Sequence, residues 1–178
     1  MSIPVQARRY FAAGLWASAL LLAIAPPDAS NAANTPVMLI NVQTGKCLTI
    51  AGGVSTENNV TALQFTCDSH PSRRWRLIKI GSAFQIKNLQ TGKCLTIAGG
   101  VSTENNVTAL QFNCDDHPSR RWRFNKVGNV FQIKNVQTGK CLTIAGGVST
   151  ANNVEALQFN CDDHPSRTWN VKSSVIID

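Results

Sequence analysis

The chain has 178 residues, 43% of them hydrophobic and 15% charged, with 17 basic against 10 acidic side chains and a formal charge of +7. That balance suits one domain or a small pair with enough apolar mass for a core, and it excludes a disordered polymer. No apolar run reaches the roughly 20 residues that a membrane span needs, and nothing reads as a coiled coil or a collagen-like chain.

The first predicted element is an export leader. Arg8 and Arg9 precede the apolar run from Phe11 to Ala25, and Pro26 and Pro27 end it. Ser30-Asn31-Ala32 then offers small residues where a signal peptidase reads them. The run is short for a transmembrane helix, so residues 1–32 are expected to be a secretory signal peptide, cleaved after Ala32. An uncleaved anchor is the alternative. Arg8-Arg9-Tyr10-Phe11 also resembles part of a twin-arginine signal but lacks its usual flanks. The mature domain is expected to span 33–178, secreted and extracellular, where disulfides persist.

The rest is one unit written three times. Asn41, Asn88 and Asn135 open nearly identical stretches, and the period of 47 carries Cys47 to Cys94 and Cys141, and Trp75 to Trp122 and Trp169. The units run over about 36–82, 83–129 and 130–178. Three copies are too few for a propeller, and a closed three-fold barrel fits better than an open solenoid. Within the first unit, Pro36 to Asn41 reads as a strand, and Gln43-Thr44-Gly45-Lys46 as a hairpin turn. Cys47 to Ile50 is a second strand, and Gly52-Gly53 opens a polar loop. Ala62 to Cys67 is a third strand, Asp68-Ser69-His70-Pro71-Ser72 a turn, and Arg74 to Ile80 a fourth strand. Three such units make twelve strands, with no long helix.

The residues that carry a resemblance are Gly-x-Cys-Leu, a Leu-Gln-Phe-x-Cys strand and a closing x-x-Trp, each present three times. Together they resemble the ricin B-type lectin family over about residues 36–178. The resemblance implies an all-β fold, a β-trefoil of three pseudo-symmetric four-strand repeats preceded by the signal peptide. The family closes each unit with Gln-x-Trp. Here the triplets are Arg73-Arg74-Trp75, Arg120-Arg121-Trp122 and Arg167-Thr168-Trp169, so arginine stands for the glutamine and the tryptophan is kept.

In that family the two cysteines of a unit form an intra-repeat disulfide, which implies Cys47–Cys67, Cys94–Cys114 and Cys141–Cys161. The competing reading is metal, because Cys67 and His70 stand three apart beside Asp68 in a pattern that recurs. One such pair supplies two of the four ligands zinc takes, so no metal and no cofactor are expected. His70, His117 and His164 each precede a proline in a tight turn and read as surface or turn-bonding residues.

The family's sugar pocket needs an Asp on the second strand, an aromatic two residues before the second cysteine, and an Asn just before Gln-x-Trp. The Asp and the aromatic supply an acceptor for sugar hydroxyls and a π-face for the apolar side of the ring. Those positions hold Thr49, Thr96 and Thr143; Phe65, Phe112 and Phe159; and Ser72, Ser119 and Ser166. The strongest acceptor is therefore missing from all three units. Period 2 puts Leu63 and Phe65 on one face and Gln64 on the other, and two large apolar residues together look like core; stacking on a sugar is the alternative. Asn58, Asn59, Asn105, Asn106, Asn152 and Asn153, with Asp68, Asp115, Asp116, Asp162 and Asp163, are candidate replacement acceptors, and turn formation is their bland alternative. Asn59-Val60-Thr61 and Asn106-Val107-Thr108 are also glycosylation sequons, relevant in a eukaryotic secretory host.

Catalysis is not expected. The neighbouring Asp, His and Ser of the turn are not arranged as a triad, which is assembled in space. Arg74, Arg76, Arg121 and Arg123 flank inward tryptophans and are candidates for an acidic ligand, with a solvated face as the alternative. The expected function is a secreted, lectin-like carbohydrate-binding protein with up to three equivalent shallow sites. Its expected partner is a glycan or polysaccharide, neutral or acidic, with no nucleic acid and no stable membrane insertion. The alternative is a trefoil that has lost sugar binding and serves as a protein-binding, inhibitory or toxin-targeting module.

Overall fold

Short runs of alternating apolar residues, cut by Gly, Pro and Asn, leave each unit little choice but four short strands. The computed structural model describes residues 35–173, and the expected leader at 1–32 lies outside them. The first unit forms β1 (Val37–Asn41), β2 (Cys47–Ile50), β3 (Ala62–Phe65) and β4 (Trp75–Ile80). The second forms β5 (Ala83–Asn88), β6 (Cys94–Ile97), β7 (Val107–Phe112) and β8 (Trp122–Val127). The third forms β9 (Val130–Asn135), β10 (Cys141–Ile144), β11 (Ala156–Phe159) and β12 (Thr168–Ser173). Helix among the described residues is confined to the 3₁₀ turns Pro71–Arg73, Pro118–Arg120 and Pro165–Arg167.

Six strands close on themselves. β1 pairs with β12 and β4, β5 with β4 and β8, and β9 with β8 and β12, all antiparallel. The hairpins β2–β3, β6–β7 and β10–β11 cap one end of this barrel. A closed six-stranded barrel under three hairpins is the β-trefoil. Closure removes the exposed edges that three separate four-strand units would carry.

The core is laid down in three-fold sets. Trp75, Trp122 and Trp169 are fully buried, with Leu39, Ile86 and Ile133 from the barrel and Leu48, Leu95 and Leu142 from the hairpins. Each indole satisfies its N–H on a hairpin carbonyl: Trp75 Nε1 donates to Leu48 O at 3.0 Å, Trp122 to Leu95 O at 2.9 Å, and Trp169 to Leu142 O at 3.0 Å. Barrel and cap are thereby joined, and none of the three buried indole N–H groups is left unpaired. At the barrel end away from the cap, Leu77, Phe84, Phe124, Phe131 and Val171 line an apolar mouth.

Two local departures from the sequence reading have clear causes. β3 stops at Phe65 rather than Cys67, because the Thr66 N–H donates to the Asn152 side chain (2.9 Å) instead of to a strand. The turn before Trp75 is a 3₁₀ turn that Pro71 starts, and the His70 ring accepts the Ser72 N–H as its N-cap. Proline is pre-organised for that first position.

Candidate functional site

The sites lie between hairpin and 3₁₀ turn, one per repeat, and begin with the disulfides. Cys47 joins Cys67, Cys94 joins Cys114, and Cys141 joins Cys161, each across 20 residues. Each bridge ties the strand before the polar loop to the turn after it. The bonded Cys67 sulfur is not available to a metal, and no cluster of three or more His, Cys, Asp or Glu able to hold one occurs among the described residues.

Hairpin register sets the walls. Thr49 faces Leu63 and Cys47 faces Phe65, while Leu48 faces Gln64 and Ile50 faces Ala62. Leu48, Ile50 and Ala62 belong to the core, so Gln64 points inward and is fully buried. Leu63 and Phe65 therefore sit on the outer face. This corrects the core reading of the phenylalanines: Phe65, Phe112 and Phe159 are half-buried walls of a recess.

The first recess, about 270 Å³, is lined by Thr49, Gly53, Phe65, His70, Ser72 and Arg73 among others. Its copies around Thr96 and Thr143 measure about 300 Å³ and 290 Å³. Ser72 is the hub. Thr49 Oγ1 donates to Ser72 O (3.1 Å) and Ser72 Oγ (3.0 Å). His70 Nδ1 lies 2.8 Å from Ser72 Oγ and accepts the Ser72 N–H at 3.2 Å. Arg73 Nη1 donates to the same Oγ at 3.3 Å. The network recurs around Ser119 and Ser166.

Gly53 makes room for it. With φ at +73° it occupies backbone space that disfavours side chains, and a Cβ there would lie 3.2 Å from Ser72 Oγ and 3.4 Å from His70 Cε1. The arginine forms the opposite wall. Arg73 stacks over Phe65 with its guanidinium carbon 4.4 Å from the ring centre, and its Nε lies 3.2 Å from Asp68 Oδ1. Arg120 and Arg167 repeat both contacts.

Each recess is completed by its neighbour. Gln64 Nε2 donates to Ser149 O and Ala151 O of the third repeat, both at 2.7 Å, and Asn153 N donates back to Gln64 O at 2.9 Å. The clamp brings Asn153 into the first recess. By the same rotation Asn59 enters the recess of the second repeat and Asn106 that of the third. All three hold φ near +65°, in the left-handed region that asparagine tolerates better than most residues. They are turn residues and pocket residues at once.

Of the residues singled out from the sequence, Thr49, Thr96, Thr143, the three phenylalanines and Asn59, Asn106 and Asn153 line recesses. Asp68, Asp115 and Asp162 do not. They bind the arginines from outside and accept the N–H of His70, His117 and His164. Arg74, Arg76, Arg121 and Arg123 lie away from the recesses, and Arg121 pairs with Asp116 at 3.5 Å. The sequence reading had Ser72 at the family's asparagine position, and it missed Arg73, His70 and Gly53 as pocket members. The available signal was the arginine at the family's glutamine position, repeated in every unit.

Residues 35–173 match the model of the ricin-type beta-trefoil lectin domain. The chain belongs to that family. No curated protein matches it. Among solved structures, this ricin-type trefoil resembles the designed three-fold symmetric protein ThreeFoil, with a TM-score of 0.74 and 19% identity over 78% of this chain and 98% of that one. It also resembles an exo-beta-1,3-galactanase from Clostridium thermocellum (0.74, 23%, covering 83% of this chain but 31% of that one). A third is the Macrolepiota procera ricin B-like lectin in complex with lactose (0.67, 17%, covering 79% and 96%). These identities speak for the shared fold. No helix among the described residues is long and apolar enough to cross a membrane.

Proposed function

We propose that this ricin-type trefoil is a secreted carbohydrate-binding protein that holds sugar rings in up to three equivalent shallow sites and performs no chemistry on them. The observation that carries the reading is the three-fold recurrence of one recess, in which a half-buried phenylalanine, a threonine hydroxyl and a neighbour's asparagine face the same space. That combination of one apolar wall and a few fixed polar groups suits a ring that is apolar on a face and hydroxylated at its edge. Thr49 donates inward to Ser72, so toward a ligand its oxygen is an acceptor, a neutral substitute for the family's carboxylate. Three weak sites on one rigid body add as avidity on a glycan-bearing surface. Ser72 is wholly buried and already engaged by Thr49, His70 and Arg73, which suits a positioning role and not a nucleophilic one. The expected leader and the three disulfides support export to an oxidising compartment.

A second reading is favoured by one contact. Arg73 covers a face of Phe65, and a ring covered by its own arginine has less surface for a sugar. On that reading the trefoil is a scaffold for a protein partner. A glycan array read at rising salt separates the two. Salt-resistant binding to a defined glycan supports the sugar sites, and no glycan binding at any salt overturns them.

A further inference from the structure

The three recesses offer their ligand more hydrogen-bond donors than acceptors, and the excess identifies a class of sugar. His70 Nδ1 accepts the Ser72 backbone N–H at 3.2 Å, and a backbone amide can only donate. The neutral ring therefore carries its proton on Nε2, which has no partner among the described residues. His117 and His164 are fixed in the same tautomer by Ser119 and Ser166.

Arg73 adds a charged donor. Its Nε is held by Thr66 O and Asp68 Oδ1, both at 3.2 Å, and its Nη1 by Ser72 Oγ at 3.3 Å. Its Nη2 has no partner among the described residues. The Arg73 side chain is 11% exposed, whereas that of Asp68 is 48% exposed, so solvent screens the carboxylate more than the guanidinium. Against these donors the recess sets the Thr49 oxygen and the Asn153 amide, which offers both roles. No Asp or Glu lines any of the three recesses.

A hydroxyl both donates and accepts and fits either kind of site. A carboxylate only accepts, and it matches a guanidinium in charge and shape. Resting on the reading of the recesses as sugar sites, we propose that each one selects an acidic sugar, with its carboxylate received by Arg73 and His70 in the first site, Arg120 and His117 in the second, and Arg167 and His164 in the third. Ring hydroxyls donate to Thr49, Thr96 or Thr143, and to the neighbour's asparagine. Arginine at the family's glutamine position and threonine at its aspartate position are then one change of ligand charge, not two independent losses.

The test uses sugar pairs that differ only at C6: galactose with galacturonate, and glucose with glucuronate. The backbone amides of Gly53, Gly100 and Gly147 are followed by NMR titration at physiological salt, where the chain's overall positive charge is screened. At least one acidic member should bind roughly tenfold more tightly than its neutral twin, the usual margin of a charge-assisted hydrogen bond over a neutral one. The R73Q/R120Q/R167Q variant should lose that margin. If the triple variant does not fold, R167Q alone should lose it at Gly147 and keep it at Gly53 and Gly100. Neutral members binding as well as or better than the acidic ones would overturn the acidic preference and leave sugar binding standing. Glycine amides unmoved by all four sugars would overturn both.

Discussion

The guanidinium of Arg73 lies 4.4 Å from the centre of the Phe65 ring, while Asp68 holds its Nε from the solvent side at 3.2 Å. The same three-part stack stands at Phe112 and Phe159. It makes one wall of each recess from an aromatic, a cation and an anion, and it explains why the phenylalanine is kept though it is not core.

Phe65→Ala should therefore cost less than a core truncation. A fully buried phenylalanine loses about 3–5 kcal/mol on truncation, and this half-buried one, including its cation–π contact, should lose about 2 kcal/mol. Chemical denaturation reads the stability. Ligand stoichiometry should fall from three sites to two.

Adjacent glycines separate strain from site damage. Gly52 and Gly53 both hold positive φ, so Gly52→Ala and Gly53→Ala should each cost about 1 kcal/mol. Only the Cβ on Gly53 meets Ser72 and His70; on Gly52 it meets nothing within 4 Å. Binding at the first site should weaken in Gly53→Ala alone, measured by titration of both variants.

The exchange of asparagines between repeats has its own signature. Asn153→Gly keeps the left-handed backbone and removes the side chain, so thermal stability should change by only a few tenths of a kcal/mol. The lost binding should appear at Gly53, in the first repeat, and not at Gly147 in the third. An effect confined to the third repeat would show that Asn153 serves its own unit.

Each disulfide closes 20 residues of chain. Replacing both cysteines of one repeat by alanine should cost about 3 kcal/mol in the chain-entropy view. Unfolding curves with and without reductant check this, and the three pairs should be close to equivalent.

Much of the fold could be read from the sequence because the repeat states it three times. The period of 47 marks the units, and Trp75 with its copies marks the strand that closes each one. What alternation could not settle was which face of β3 turns inward. Leu63 and Phe65 look like core by composition; Leu63 is buried, but Phe65 is only half-buried, and Gln64 between them is fully buried because its NH2 is matched by the Ser149 and Ala151 carbonyls of another repeat. A buried side-chain NH2 satisfied from 85 and 87 residues away leaves no local trace. Asn153 reaching the first recess was hidden for the same reason. Arg73 was visible as a departure from the family's glutamine, but its stacking on Phe65 depends on the 3₁₀ turn that aims it.

The most direct test is to titrate the protein with the tightest glycan found on the array, reading stoichiometry by calorimetry and location by the amide shifts of Gly53, Gly100 and Gly147. Three ligands per chain, with all three glycines moving together, are the expected result. A single ligand per chain, or shifts on the barrel away from these glycines, would contradict the three equivalent sites.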